Sequence, residues 1–195
     1  MLSHKESLNI LRKTNALLEG HFVLSSGLHS PKYVQCAKLL SFPNKANKIC
    51  KSLSTKIKKN FKNVNLILSP AVGGIIIGYE IGKLLNLETI FCERVNKRFK
   101  LRRGFSIKKN ARVVIVEDVV TTGKSSLECV KLIKKAKAKI LGFACIIDRS
   151  NKKNLKIKKK VISHLKINIP TYKKSDLPPS LKSTPISVPG SRFIK

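Results

Sequence analysis

Glu117 and Asp118 are adjacent carboxylates that follow directly on the apolar run Val113, Val114, Ile115 and Val116. After Val119 and Val120 comes a short polar loop, Thr121, Thr122, Gly123, Lys124 and Ser125, and then Leu127, Val130, Leu132 and Ile133 at helical spacing. The order is strand, acidic pair, small-residue loop, helix start. Two ionised carboxylates accept hydrogen bonds from a pair of hydroxyls. A helix N-terminus presents unpaired N–H groups and a positive dipole end, and so holds a phosphate. A ligand with a sugar diol on one side and a phosphate on the other fits both features, which points to a phosphorylated ribose. In an ordinary strand-loop-helix unit the two acids would merely cap the helix. Two like charges at the end of a buried strand repel, however, and cost stability unless something pairs with them.

A second loop of the same kind follows the strand predicted over residues 64–69. Pro70, Ala71, Val72, Gly73 and Gly74 make a tight turn where a ligand can approach the backbone. An open α/β site is expected to carry such a loop at a strand's carboxyl end, although any βα turn has a similar composition. Neither loop matches a Walker A or dinucleotide fingerprint, which argues against an NTPase or a dehydrogenase. Between two predicted strands lies a cationic segment, residues 93–105, with Arg94, Lys97, Arg98, Lys100, Arg102 and Arg103. On its own it reads as an exposed hairpin with solvated charges. Overhanging the two loops, it suits a mobile cationic lid for a pyrophosphate leaving group. Arg149 follows the strand predicted over 141–147 and is expected to face the same cleft, its planar fork suited to a carboxylate or a carbonyl edge. The plainer alternative is a surface arginine paired with Asp148. His21 and His29 read as surface residues of a polar loop and are left out of the chemistry.

The elements that must position these residues show as periodicities. Residues 3–18 predict a helix capped by Ser3, with Glu6 three positions on, and ended by Gly20. Residues 20–36 read as two short strands around a Ser/Gly turn, lying off the main repeat like a cover. Residues 42–61 predict a Lys-rich helix with Ala46, Ile49, Cys50, Leu53 and Ile57 on its apolar face. Further strands are predicted over 64–69, 87–92, 112–118 and 141–147, with helices over 75–85 and 125–138. Residues 151–160 read as a basic loop and 161–169 as a return to a small subdomain, and the prolines beyond make the tail irregular.

Length and composition set bounds on function. The chain has 195 residues, 42% of them hydrophobic, enough for one domain with a real core and a small subdomain. Lys and Arg number 41 against 10 Asp and Glu, a net charge of +31. Such a charge ordinarily points to nucleic acid or an anionic surface. Here the excess is mostly lysine spread along the chain, beside abundant Asn and Ile, as an AT-rich coding sequence produces. Nucleic acid is therefore not expected as a partner, while an anionic substrate benefits from the field. The five cysteines include no CxxC pair, which suits reduced core thiols of a cytoplasmic protein. Residues 1–15 lack the apolar core of a secretory signal, and no apolar run is long enough to span a membrane.

The ten residues from Val114 to Gly123 resemble the phosphoribosyl pyrophosphate (PRPP) motif of type I phosphoribosyltransferases. Residues 21–30, 70–75 and 101–105 are similar to the orotate phosphoribosyltransferases in particular, and residues 189–192 fit their shorter bacterial form. The similarity runs in order through nearly the whole chain. It implies an α/β fold of the type I phosphoribosyltransferase kind, with a central, mostly parallel sheet flanked by helices. Residues 1–195 would form one domain, with a core at about 42–150 and a small hood from about 1–41 and 151–195. It implies transfer of 5-phosphoribosyl from PRPP to orotate, giving orotidine 5′-monophosphate and pyrophosphate in pyrimidine (UMP) biosynthesis. It further implies Mg²⁺ held mainly through PRPP, with no protein metal site, and a homodimer.

Carried over by motif, Glu117 and Asp118 would hold the ribose hydroxyls, with Val119 and Val120 beside them. Thr121, Thr122, Gly123, Lys124 and Ser125 would cradle the 5′-phosphate, and Ala71, Val72 and Gly73 would line the pyrophosphate. Thr121 and Arg149 would contact orotate. Arg94 matches the root of the family's catalytic lid, which reaches into the neighbouring subunit's site, and Lys100, Arg102 and Arg103 belong to the same lid. Breaking the bond to pyrophosphate leaves positive charge on the ribose and negative charge on the leaving group, so lid cations and Mg²⁺ oppose the second and anionic orotate attacks the first. No covalent nucleophile is required. The longer family members carry Lys at the positions of Ser25, Gly73 and Val95 and a His in the lid, which residues 93–105 lack. One of Lys97, Arg98, Lys100, Arg102 or Arg103 would then supply the missing lid cation. Two rival readings are a phosphoribosyltransferase for another base, such as a purine, and a regulator that keeps this fold and binds nucleic acid.

Overall fold

The computed structural model describes residues 1–24, 26–151 and 155–187; Ser25 and the motif at 189–192 lie outside the described residues. Helix α1 (His4–Lys13) starts at Ser3, whose hydroxyl accepts the Glu6 N–H at 3.2 Å while Glu6 Oε2 accepts the Ser3 N–H at 2.8 Å. This reciprocal cap satisfies two otherwise orphaned donors and contributes about 1 kcal/mol. The helix expected over residues 3–18 stops at Lys13. Asn15 turns the chain with φ 53°, and Leu17 and Leu18 open strand β1 (Leu17–Val23). Strand pairing overrides helical spacing here: Leu17 is buried and faces Val34 of the antiparallel strand β2 (His29–Val34). Gly20 therefore ends no helix; it sits at the irregularity in β1 between Glu19 and Phe22.

A short helix α2 (Cys36–Leu40), absent from the sequence expectation, leads into α3 (Pro43–Asn60). Proline at the first helical position costs nothing, since its missing N–H would be unpaired there. The predicted apolar face of α3 is the buried one. There follow β3 (Leu66–Pro70), α4 (Gly73–Leu85), β4 (Glu88–Val95), β5 (Arg98–Leu101), β6 (Arg112–Val120), α5 (Lys124–Lys135), β7 (Lys139–Asp148), β8 (Val161–Lys166), α6 (Pro179–Lys182) and β9 (Ile186–Ser187). The main sheet runs β5-β4-β3-β6-β7-β8, parallel throughout except for β5, which returns antiparallel on β4. Strand β8 was expected to return to a small subdomain. Instead it covers the edge of β7, whose N–H and C=O groups flank fully buried side chains and need partners. A second, small sheet joins β2, β1 and β9, so the N-terminal hairpin meets Ile186 and Ser187 there.

Successive side chains of a strand point to opposite faces. Along β6, Val114 and Val116 join the core under α3 and α4, while Val113 and Ile115 join the core under α5. Burial on both faces is why these strands read as unbroken apolar runs rather than alternating ones. Because β3, β4, β6 and β7 are parallel, their carboxyl ends share one edge of the sheet. Loops 71–73, 96–97, 121–123 and 149–151 all emerge there. Among the described residues no helix is long and apolar enough to cross a membrane.

Candidate active site

The acidic pair lies inside β6, which runs two residues further than expected, to Val120. Sheet alternation therefore divides the pair. Glu117 follows Ile115 onto the α5 face, where it is 8% exposed and accepts a hydrogen bond from the Ser126 hydroxyl at the start of α5. Asp118 follows Val116 onto the α4 face, where its Oδ1 accepts the Val119 N–H at 2.8 Å. A Cβ added at Gly73 would lie 2.7 Å from Asp118 Oδ2, so the carboxylate and the 71–73 loop nearly touch. The sequence pointed to mutual repulsion as the cost of the pair. The larger cost is burial, which pushes the Glu117 carboxyl up to about 7; hydrogen bonds from Ser126 pull the other way, and the charge of Asp118 adds a lesser push. Burial also raises Asp118 above its ordinary value.

The loop after β6 is built to present backbone donors. Gly123 caps α5 in the left-handed region, φ 73°, and no side chain caps the helix, whose first turn also lacks an acid. Within the loop the Lys124 N–H donates to the Thr122 hydroxyl at 3.4 Å, and a backbone hydrogen bond from Ser126 reaches Glu117; the positive end of the helix dipole still favours an anion here. Any side chain at Gly123 would be strained, and its Cβ would meet Ile157 at 2.5 Å. Ile157 and the Lys156 N–H, which donates to Thr122 O at 3.1 Å, clamp this loop from the 155–160 segment. Thr121, Thr122 and Lys124 are exposed, Ser125 is half-buried, Val119 packs on the core and Val120 is buried. On the neighbouring strand, the Ala71–Val72 peptide is cis and the Ala71 N–H donates to Cys92 O at 2.8 Å. Val72 and Gly73 are exposed at the start of α4. Arg149 is held by its own N–H on Val120 O at 2.8 Å, and its side-chain Nε is buried without a hydrogen-bond partner. Burial lowers its pKa, while Tyr33 and Cys36, close by, act in the opposite sense. A half-buried guanidinium whose buried Nε has no partner is suited to an anionic or carbonyl acceptor.

The cationic segment forms the β4–β5 hairpin at the sheet edge, turning at Asn96 and Lys97. Three of the four expected lid cations are engaged. Arg94 Nη1 donates to Glu128 Oε2 at 2.8 Å and to Lys97 O at 2.7 Å, with its guanidinium 4.2 Å from the Phe99 ring centre. Arg103 donates twice to Glu93 Oε1, at 3.0 and 2.8 Å, and Arg102 pairs with Glu93 Oε2 at 3.6 Å. Lys100 is exposed and makes no ion pair among the described residues. The structure thus brings Glu117, Asp118, the 71–73 and 121–125 loops and Arg149 to one edge, with the lid arginines latched beside it.

Sequence reasoning missed several residues. Ser126 was one step past the loop, and only the register of α5 shows that it meets Glu117. His21 and His29 were read as exposed, but both are buried. His21 Nε2 lies 2.6 Å from His29 Nδ1, and His21 Nδ1 bonds Thr184 O at 3.1 Å, tying the hairpin to the C-terminal segment. Their spacing on facing strands was the available signal. Gly78 and Gly82, spaced one turn apart, leave no room for a Cβ between α4 and the side chains of Ser69 and Thr89, and so seat α4 on the sheet.

Comparison with known proteins agrees with this geometry. A family model described as phosphoribosyl transferase domain matches residues 39–182. A protein of Parvibaculum lavamentivorans named orotate phosphoribosyltransferase is 45% identical, over 99% of this chain and 100% of its own length. Its namesake from Phenylobacterium zucineum is 44% identical over 100% of both. The crystal structure of orotate phosphoribosyltransferase from Aeropyrum pernix shares the fold with a TM-score of 0.70, at 21% identity over 82% of this chain and 92% of that one. With the phosphoribosyl transferase domain model matching residues 39–182 and full-length relatives of one name, this chain belongs to the phosphoribosyltransferase family, among the orotate phosphoribosyltransferases.

Proposed function

We propose that the chain transfers the 5-phosphoribosyl group of PRPP to orotate, releasing pyrophosphate and forming orotidine 5′-monophosphate. On this reading the positive N-terminal end of α5 and the 121–125 loop hold the 5′-phosphate. Glu117 and Asp118 hold the two ribose hydroxyls from opposite faces of β6, acting as a diol clamp rather than as an acid and base. The 71–73 loop lines the pyrophosphate, and the orphaned Nε of Arg149 takes an acceptor on orotate. Charge develops on the leaving group as the anomeric bond breaks, and a cation of the hairpin opposes it. Supply of that cation requires a latched arginine to leave Glu93 or Glu128, or Lys100, Lys97 or Arg98 to act instead.

Mg²⁺ fits the oxygen donors at this edge, since a hard divalent ion prefers carboxylate and phosphate. Asp118, beside Gly73, is the carboxylate that would help hold it next to the pyrophosphate loop, with PRPP supplying most of the ligands. Bound there, the metal would supply neutralisation of the charge on the pyrophosphate. Homodimerisation is supported by Val72, Ile76 and Tyr79, which are exposed at 83%, 55% and 66% along one side of α4 and need cover. Cytoplasmic residence is supported by five buried free thiols. The whole-length relatives named for orotate disfavour a purine substrate or a purely regulatory role. The observation that carries the proposal is the near-contact of Asp118 with Gly73, which joins the diol clamp to the pyrophosphate loop. Pyrophosphate release from PRPP tests it. Release should require orotate and match orotate consumed one for one; release that ignores orotate, or that adenine supports better, contradicts it.

A further inference from the structure

On the α5 face of the sheet, away from α4, a groove of about 670 Å³ opens between the β4–β5 hairpin, α5 and the 155–160 segment. Five cations line it: Lys97 and Arg98 from the hairpin turn, Lys124 and Lys131 from α5, and Lys156 from the segment that clamps the 121–123 loop. All five are exposed, and none makes an ion pair among the described residues. The groove's one acid, Glu128, is already matched by Arg94 at 2.8 Å. The roots of these side chains are fixed. Lys156 is anchored by its N–H on Thr122 O, and the hairpin by Arg94 bonded to both Glu128 and Lys97 O. Three anchored elements therefore converge five like charges on one concavity, an arrangement that repels itself unless an anion enters.

We propose that this groove binds a chain of linked phosphates, either inorganic polyphosphate or the triphosphate of a nucleotide. A single phosphate could reach only part of a cation set drawn from three elements, whereas linked phosphates span it. The groove's volume is that of a small-ligand site. Of its lining, Lys124 belongs to the 5′-phosphate loop, and Lys97 and Arg98 to the hairpin offered as a source of the leaving-group cation. Lys131 and Lys156 belong to neither, and Glu117, Asp118, Arg149 and residues 71–73 lie outside the groove, so the site adjoins the PRPP cleft and shares the hairpin and loop walls with it. A ligand there would tie the hairpin turn to α5.

The test is calorimetric titration with sodium tripolyphosphate, ATP and orthophosphate at 0.15 M salt. Wild type is compared with Lys131→Glu/Lys156→Glu and with Lys51→Glu/Lys59→Glu, a reversal of equal charge on α3. Tripolyphosphate should bind wild type at least tenfold more tightly than orthophosphate. The groove variant should lose at least tenfold of that affinity while its PRPP affinity stays within twofold, and the α3 variant should match wild type. ATP binding more tightly than tripolyphosphate assigns the site to a nucleotide; equal affinity assigns it to the inorganic chain. The proposal is overturned if the groove variant keeps its tripolyphosphate affinity, if the α3 variant loses as much, or if PRPP displaces all bound tripolyphosphate. It is also overturned if single-stranded RNA binds the groove more than a hundredfold more tightly than tripolyphosphate, since the occupant is then a phosphodiester backbone.

Discussion

Replacing Glu117 by Gln should make the fold more stable at neutral and alkaline pH. The carboxyl has an ordinary value of 4.5 and stands at about 7 in the folded chain, chiefly because β6 and α5 bury it. A carboxyl raised in this way binds its proton more tightly folded than unfolded. Its contribution is present in full below pH 4.5 and is lost as pH rises through 7. At roughly 1.4 kcal/mol per pH unit the loss amounts to about 3 kcal/mol by pH 8. Glutamine keeps the shape, can still accept from Ser126, and never ionises, so the variant escapes this loss. Urea unfolding of both proteins at several pH values between 5 and 8 measures it. The variant's stability relative to wild type should climb by about 2 to 3 kcal/mol over that range. A pH-independent difference, or one that falls as pH rises, would mean that the ionised carboxylate is favoured in the fold, and the reasoning from burial would fail.

The same carboxyl should mark the kinetics. If PRPP binding needs Glu117 ionised, kcat/KM for PRPP should rise about tenfold from pH 6 to 8. Ser126→Ala removes the donor that favours the ionised form and should move that rise to higher pH; a move to lower pH in the rate profile counts against the assignment. Gly73→Ala puts a methyl 2.7 Å from Asp118 Oδ2, at the movable end of a side chain. It should raise KM for PRPP roughly tenfold, about 1.4 kcal/mol, with the melting temperature unchanged. Gly123→Ala meets both a φ of 73° and Ile157, and should instead cost about 1 to 3 kcal/mol of stability, visible as a lower melting temperature. Alanine at Arg94, Lys97, Arg98, Lys100, Arg102 and Arg103 in turn should lower kcat about a hundredfold in at least one case, with stability changed by less than about 1 kcal/mol, as exposed ion pairs allow. Unchanged turnover in all six would remove the hairpin from the chemistry.

Local signals in the sequence carry the main sheet and its helices. Unbroken apolar runs such as Val113–Val116 announce strands buried on both faces, and the 121–125 and 70–74 loops follow them at the carboxyl edge. What local reading misses depends on partners distant in sequence. Leu17 and Leu18 fit a helix until Val34 and Tyr33 pair with them across β1 and β2. Val161–Lys166 fits a detached subdomain until β7 needs an edge covered. His21 and His29 look like surface residues because eight positions separate them in the chain, whereas the hairpin stacks them in its interior. Adjacency misled in the other direction for Glu117 and Asp118. Neighbours in sequence are on opposite faces of a strand, so their cost is burial first and mutual repulsion second, and Ser126 becomes a partner of the first and Gly73 of the second. The hairpin's cations were legible, but not that Glu93 and Glu128 hold three of them.

The central claim is that the carboxyl edge carrying Glu117 and Asp118 binds PRPP and passes its ribosyl phosphate to orotate. Loss of orotate absorbance on adding PRPP and Mg²⁺ measures this most directly, run on wild type beside Glu117→Gln/Asp118→Asn. Absorbance should fall steadily with wild type, and the double variant should turn over far more slowly and bind PRPP more weakly while melting cooperatively. Orotate left unchanged by wild type while adenine or another purine is consumed, or a double variant with undiminished PRPP affinity, would contradict it.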